Sequence, residues 1–141
     1  MDNHEQVTIE LNGVEITCDK GCVEMITLFN TMGLNTKFSC QGEERQDYYI
    51  MFTDEVTDQQ IEDFMKLLHK DLVRQYIQHH RGEISSYKTA WGTFKKWCRP
   101  GGENGVMNNW VYEVANLQKA NEDYLLFKQV IKKYGEGMYG F

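Results

Sequence analysis

Residues Gly33 to Thr53, GLNTKFSCQGEERQDYYIMFT, leave this chain few ways to fold. Glycine reaches the left-handed backbone region that ends a helix, so Gly33 stops whatever helix precedes it. A short strand, Lys37-Phe38-Ser39-Cys40, is predicted next, followed by a polar turn from Gln41 to Asp47. Tyr48 to Phe52 is an almost continuous apolar run, which predicts a central strand covered on both faces. The Ser39-Cys40-Gln41-Gly42 tip offers a hydroxyl, a thiol, an amide and a backbone N–H that a ligand can approach closely. It is the most site-like sequence in the chain.

The flanks set the fold class. In VTIELNGVEITC, residues 7–18, apolar positions alternate on either side of Asn12-Gly13, the strongest short hairpin signal. Asp19 is placed to cap a helix in which Val23, Ile26 and Phe29 share a face. Thr57 and Gln60 have capping-box spacing, opening a helix expected to run to about Gln78, with Gly82 breaking the pattern. In EISSYKTAWGTFKKWC, residues 83–98, Tyr87, Thr89, Trp91 and Thr93 alternate as in one strand. Residues 99–105 are a loop by composition, and 109–115 alternate again. Leu117, Ala120, Tyr124, Phe127, Ile131 and Tyr134 form a heptad-like seam that could pack on the sheet or meet a second copy. Strands and helices intermix without regular βαβ alternation. The expected architecture is α+β, a small mainly antiparallel sheet with about three helices packed on it. One domain, 1–141, is expected, with a glycine-rich tail, 135–141, that is mobile or docks on a partner.

Composition excludes some functions. No apolar run approaches a membrane span, and the acidic start MDNHEQVTIEL lacks a signal peptide's pattern, so a cytoplasmic location is expected. Cys18, Cys22, Cys40 and Cys98 are then expected as free thiols. Residues 1–65 hold 3 Lys/Arg against 14 Asp/Glu, whereas residues 66–99 hold 8 against 2. A basic segment inside an acidic chain suits a localised anion better than a long nucleic acid. Neutralisation of the acidic third, within the chain or across an oligomer, accounts for it equally well.

Motif by motif, the chemistry narrows. Cys18-x3-Cys22 invites zinc, but Cys40 and Cys98 make a poor second pair, so no metal is expected. Cys40 could act as a nucleophile with His79 or His80, yet no third, orienting group is evident. No Walker or dinucleotide fingerprint is present, and Arg99-Pro-Gly-Gly is better read as a solvated loop than as a phosphate cradle. Glu43, Glu44 and Asp47 flank the central turn with Arg45 among them, a pattern of solvated charge. The informative constellation is Tyr87, Trp91, Phe94 and Trp97 interleaved with Lys88, Lys95, Lys96 and Arg99. Rings stack on bases while Lys and Arg take phosphates. The competing reading is a half-buried strand with a basic polar face.

With GLNTKFSCQGE followed by YYIMF, the chain resembles small phage proteins carrying a helix, then Gly-[Ile/Leu]-x-Thr-x-x-Ser-Cys-x-Gly, then a returning strand. Within that set it looks like the anti-CBASS nucleotide sponges of large Bacillus phages, on the strength of residues 33–52. The resemblance implies a non-catalytic homo-oligomer, tetramer ahead of dimer, that binds a cyclic dinucleotide such as 3′,3′-cyclic GMP–AMP and silences an immune signal in the host cytoplasm. It implies no catalytic residue; no cofactor or metal is expected, and the charge and hydropathy patterns point away from a long nucleic acid and a membrane. Rival expectations are a sponge for the cyclic ADP-ribose signals of Thoeris defence and a cysteine-dependent hydrolase acting on a nucleotide. From the resemblance, Ser39, Gln41 and Gly42 carry over as ligand contacts. From the residues themselves, Arg45, Arg81, Tyr87, Lys88, Trp91, Lys95, Trp97 and Arg99 complete the expected binding set.

Overall fold

The computed structural model describes residues 4–43, 46–68, 86–100 and 106–135, with backbone alone at 97–100, 106–108 and 134–135. Strands β1 (Gln6–Leu11) and β2 (Val14–Asp19) form the predicted hairpin. Asn12 and Gly13 both have positive φ, 53° and 81°, as a type I′ turn requires. A 3-10 turn, Lys20–Cys22, leads into α1 (Val23–Thr31), and Gly33 ends it at φ 83°. Strands β3 (Thr36–Cys40) and β4 (Tyr48–Phe52) follow, then α2 (Asp58–Leu68). The chain continues through β5 (Ser86–Lys88), β6 (Gly92–Pro100), β7 (Val106–Val114) and α3 (Leu117–Val130), the last running into a π-helical turn, Ile131–Gly135.

The larger sheet has the order β3-β4-β7-β6-β5, every pair antiparallel. The fold is α+β, as the pattern predicts. Alternation sorts the strands' side chains. Tyr48, Ile50 and Phe52 of β4, Tyr112 and Val114 of β7, Phe94 of β6 and Tyr87 of β5 all enter the core shared with the helices. Phe29 of α1 sits at its centre, its ring 5.0 Å from that of Phe52 and near those of Phe64, Phe94, Tyr112 and Phe127. Ala120, Phe127 and Ile131 of the heptad-like seam are buried in this core, so that part of the seam packs within the chain. The β1–β2 hairpin lays Val7, Ile9, Leu11 and Ile16 against the same cluster.

The capping box at α2 forms in both directions. Thr57 N–H donates to Gln60 Oε1 at 2.9 Å, and Gln60 N–H to Thr57 Oγ1 at 3.1 Å. Three local expectations are corrected. Residues 87–93 are not one strand, because the chain turns between β5 and β6. Asp123 of α3 seizes that turn, accepting hydrogen bonds from Thr89 Oγ1 at 2.6 Å and Trp91 N–H at 3.2 Å. Asp19 does not cap a helix with its side chain; its carboxylate is engaged elsewhere. The expected loop begins later than predicted, since β6 continues to Pro100. The expected extension of α2 to Gln78, the break at Gly82 and the tail beyond Gly135 lie outside the described residues. No helix among the described residues is long and apolar enough to cross a membrane.

Candidate functional site

The Ser-Cys-Gln-Gly tip is built into the molecule more tightly than its composition suggests. Ser39 hydrogen-bonds the Cys22 thiol. Gln41 accepts at Oε1 from Gly21 N–H, at 3.0 Å, and donates its own N–H to Asp19 Oδ2 at 2.9 Å. Gly42, at φ 84°, turns the chain so closely that a Cβ there would stand 2.7 Å from Gln46 O. Its N–H donates to Cys40 Sγ at 3.4 Å.

Asp19 is the hub. It is 3% exposed, and besides Gln41 it takes the Gln6 amide and the His4 ring, whose Nδ1 lies 3.0 Å from Oδ2. His4, Asp19 and Cys40 present ligand-type atoms that all lie within 4.8 Å of one another, the one such group of three among the described residues. Cys18 and Cys22 stand apart as core thiols. Burial, with the Asp19 charge beside them, raises both, Cys22 to about 12, which holds it as the neutral thiol.

His4 and Asp19 are absent from the sequence-derived site, although a signal for them existed. Counting outward from the Asn12-Gly13 turn pairs Gln6 with Asp19 and leaves His4 just beyond the paired residues. The three groups do not form a nucleophilic triad. In a triad the imidazole stands between thiol and carboxylate, each about 3 Å from one ring nitrogen, so those two lie well apart. Here thiol, imidazole and carboxylate converge on one point.

The basic-aromatic set is dispersed. Tyr87 is buried, its ring stacked on Trp110 at 6.0 Å, and burial pushes its hydroxyl up to about 12. Phe94 is in the core. Trp91 is presented at the β5–β6 turn, 47% exposed, with Lys119 Nζ 3.7 Å from its ring centroid. Lys88 is exposed on β5, and Lys95 pairs with Glu113 at 3.0 Å on the sheet face away from the core. Lys96 binds Asp58 at 2.7 Å over the Trp110 ring. Trp97 and Arg99 take register positions opposite Asn109 and Met107, with side chains outside the description, and Arg45 and Arg81 lie outside it altogether. Ser39, Gln41 and Gly42 stand at or just beyond the end of edge strand β3, whereas Lys88 stands on the opposite edge, β5. Four strand spacings of about 4.8 Å part those edges, roughly 19 Å. One small ligand cannot touch both edges of one chain.

A concave site does exist, made from other residues. Helices α1 and α3 flank a groove of about 440 Å³. Val23, Leu28 and Ile131 supply apolar lining, Tyr124 an aromatic wall, and Lys128 and Lys132 two cations one helical turn apart. Thr27 and Thr31 donate their hydroxyls to the carbonyls of Val23 and Thr27, which leaves oxygen lone pairs free to accept. Glu24 hydrogen-bonds the Tyr124 hydroxyl, and with burial its charge raises that hydroxyl above the usual tyrosine range. The linear signal for the groove was slight: Thr27, Thr31, Lys128 and Lys132 are each an i,i+4 pair beside the buried seam. No protein-family model, no curated protein and no solved structure matches this chain.

Proposed function

We propose that the chain is a non-catalytic phage protein that sequesters a cyclic dinucleotide of the 3′,3′-cyclic GMP–AMP type, and so blocks CBASS signalling in the host cytoplasm. The α1–α3 groove carries this reading. Its volume, about 440 Å³, falls among small-molecule sites, which are mostly apolar with a few convergent polar groups. A purine stacked on Tyr124 would contribute about 1–3 kcal/mol, and Lys128 and Lys132 would take phosphate oxygens. Glu24 and the threonine lone pairs would accept from ribose hydroxyls or base amino groups. A ligand of near two-fold symmetry suits a site completed by a second copy, and a homo-oligomer is part of the proposal. Such assembly would also let Trp91 and Lys88 of one copy approach the Ser39–Gly42 edge of another.

The test is retention and release. The protein is incubated with a panel of cyclic dinucleotides and cyclic ADP-ribose isomers, washed, and heated. Intact cyclic GMP–AMP recovered from wild type, and lost in Lys128→Glu/Lys132→Glu, is expected. Selective retention of a cyclic ADP-ribose isomer would reassign the ligand to the Thoeris signal. Release of cleaved nucleotide, abolished by Cys40→Ala, would replace sequestration with hydrolysis. No retention and no thermal shift with any member would end the nucleotide reading.

A further inference from the structure

The His4–Asp19–Cys40 cluster brings a nitrogen, an oxygen and a sulfur donor together from three separate parts of the chain. His4 precedes β1, Asp19 ends β2 and Cys40 ends β3. Their ligand atoms lie within 4.8 Å of one another, and donor atoms around a tetrahedral zinc ion stand roughly 3.5 Å apart for bonds of about 2.0–2.3 Å. Closing that difference takes small side-chain rotations. The surroundings suit a cation as well. Asp19 is a buried carboxylate held by the Gln41 N–H and the Gln6 amide, so its oxygens are fixed before a metal arrives. Cys40 Sγ accepts from the Gly42 N–H, a contact that a thiolate strengthens. A thiolate and a carboxylate this close repel each other unless a positive charge lies between them. Cys40 and His4 are both partly accessible, leaving a path for entry.

We propose that His4, Asp19 and Cys40 form a mononuclear site for a divalent transition ion of the zinc class, with a fourth position open to water. The mixed N, O and S donor set fits Zn²⁺ and its optical substitute Co²⁺, and excludes hard ions such as Mg²⁺. On binding, the metal–sulfur bond replaces the Cys40 S–H bond and the proton leaves to solvent. The His4–Asp19 hydrogen bond is exchanged for two metal bonds: the proton on Nδ1 passes through solvent to Nε2, and the neutral ring binds the ion through the Nδ1 lone pair. The ion would clamp the segment before β1 to the Ser-Cys-Gln-Gly tip. The inference is independent of nucleotide binding.

The experiment uses the full chain, stripped with chelator and titrated with Co²⁺ and then Zn²⁺. One equivalent of Co²⁺ per chain with a sulfur-to-cobalt charge-transfer band is expected, displaced by Zn²⁺. Cys40→Ser should remove the band, and His4→Ala should weaken affinity more than about 100-fold, beyond the loss typical of an outer-shell residue. Circular dichroism should be unchanged in His4→Ala, which removes one side chain near the terminus. Zn²⁺ should slow alkylation of Cys40 in wild type. No stoichiometric binding would overturn the proposal. So would binding that survives both substitutions, or alkylation of Cys40 that saturating Zn²⁺ leaves unchanged.

Discussion

At the scale of single residues, backbone geometry and buried charge decide most of what substitution would do. Gly13 and Gly42 both have positive φ, yet they differ in surroundings. A Cβ on Gly13 meets nothing within 4 Å, whereas on Gly42 it meets the backbone of Gln46, Asp47 and Tyr48. Gly13→Ala should therefore cost only the conformational penalty, about 1–2 kcal/mol. Gly42→Ala should cost more and should displace the Ser-Cys-Gln-Gly tip; denaturant melts of the two variants compare them directly. Asp123 is fully buried under Thr89, Trp91 and Tyr112, whose hydroxyl lies 2.7 Å from Oδ2. Burial raises its pKa above the ordinary 3.8, and the hydrogen bonds only partly offset this. The folded state then holds a proton that the unfolded state has released, so stability falls as pH rises from about 3.8 through the folded value. Asp123→Asn should remove that slope. Its melting temperature relative to wild type should rise with pH across this window, whatever its offset from a disturbed hydrogen-bond pattern.

At the scale of elements, local signals were reliable where the chain itself satisfies them. The Asn12-Gly13 hairpin, the stop at Gly33 and the Thr57–Gln60 box each depend on neighbours a few residues away. Thr57→Ala should lower stability by about 0.5–2 kcal/mol, and Thr57→Ser should restore most of it, measured by thermal melts. The 87–93 segment misled because its alternation is genuine while its continuity is not. Strands β5 and β6 each alternate, but Asp123, more than thirty residues on, takes the hydroxyl and amide that a continuous strand would have directed elsewhere. The same contact sets Trp91 at the turn rather than on the sheet face.

At the scale of the molecule, one aromatic centre joins α1, α2, α3 and the sheet. Phe29→Ala should cost about 3–5 kcal/mol, and one transition reported alike by tyrosine fluorescence and far-ultraviolet dichroism would show that the core melts as a unit. The site divides along the same line as the fold. Ser39, Cys40, Gln41 and Gly42 were recognisable by type, because a hydroxyl, thiol, amide and glycine clustered at a strand end carry chemistry at short range. Tyr87 and Lys96 were not separable from Trp91 and Lys95 by composition. The pleat and the packing of α2 send the first pair to the core side, with Trp110 and Asp58, whereas the pleat leaves Lys95 outside and the Asp123 contact sets Trp91 at the turn. By itself, the amino-acid sequence determined the α+β class, the hairpin, the helix stop at Gly33 and the donor types gathered at the end of β3. These follow from turn geometry, capping and alternation, all of which act over a few residues. Tertiary structure alone decided that His4 and Asp19 meet Cys40, that α1 and α3 flank a groove, and that Lys88 and the Ser39–Gly42 tip occupy opposite sheet edges. Those outcomes depend on strand order and helix docking, which join residues remote in the chain through burial rather than through local preference.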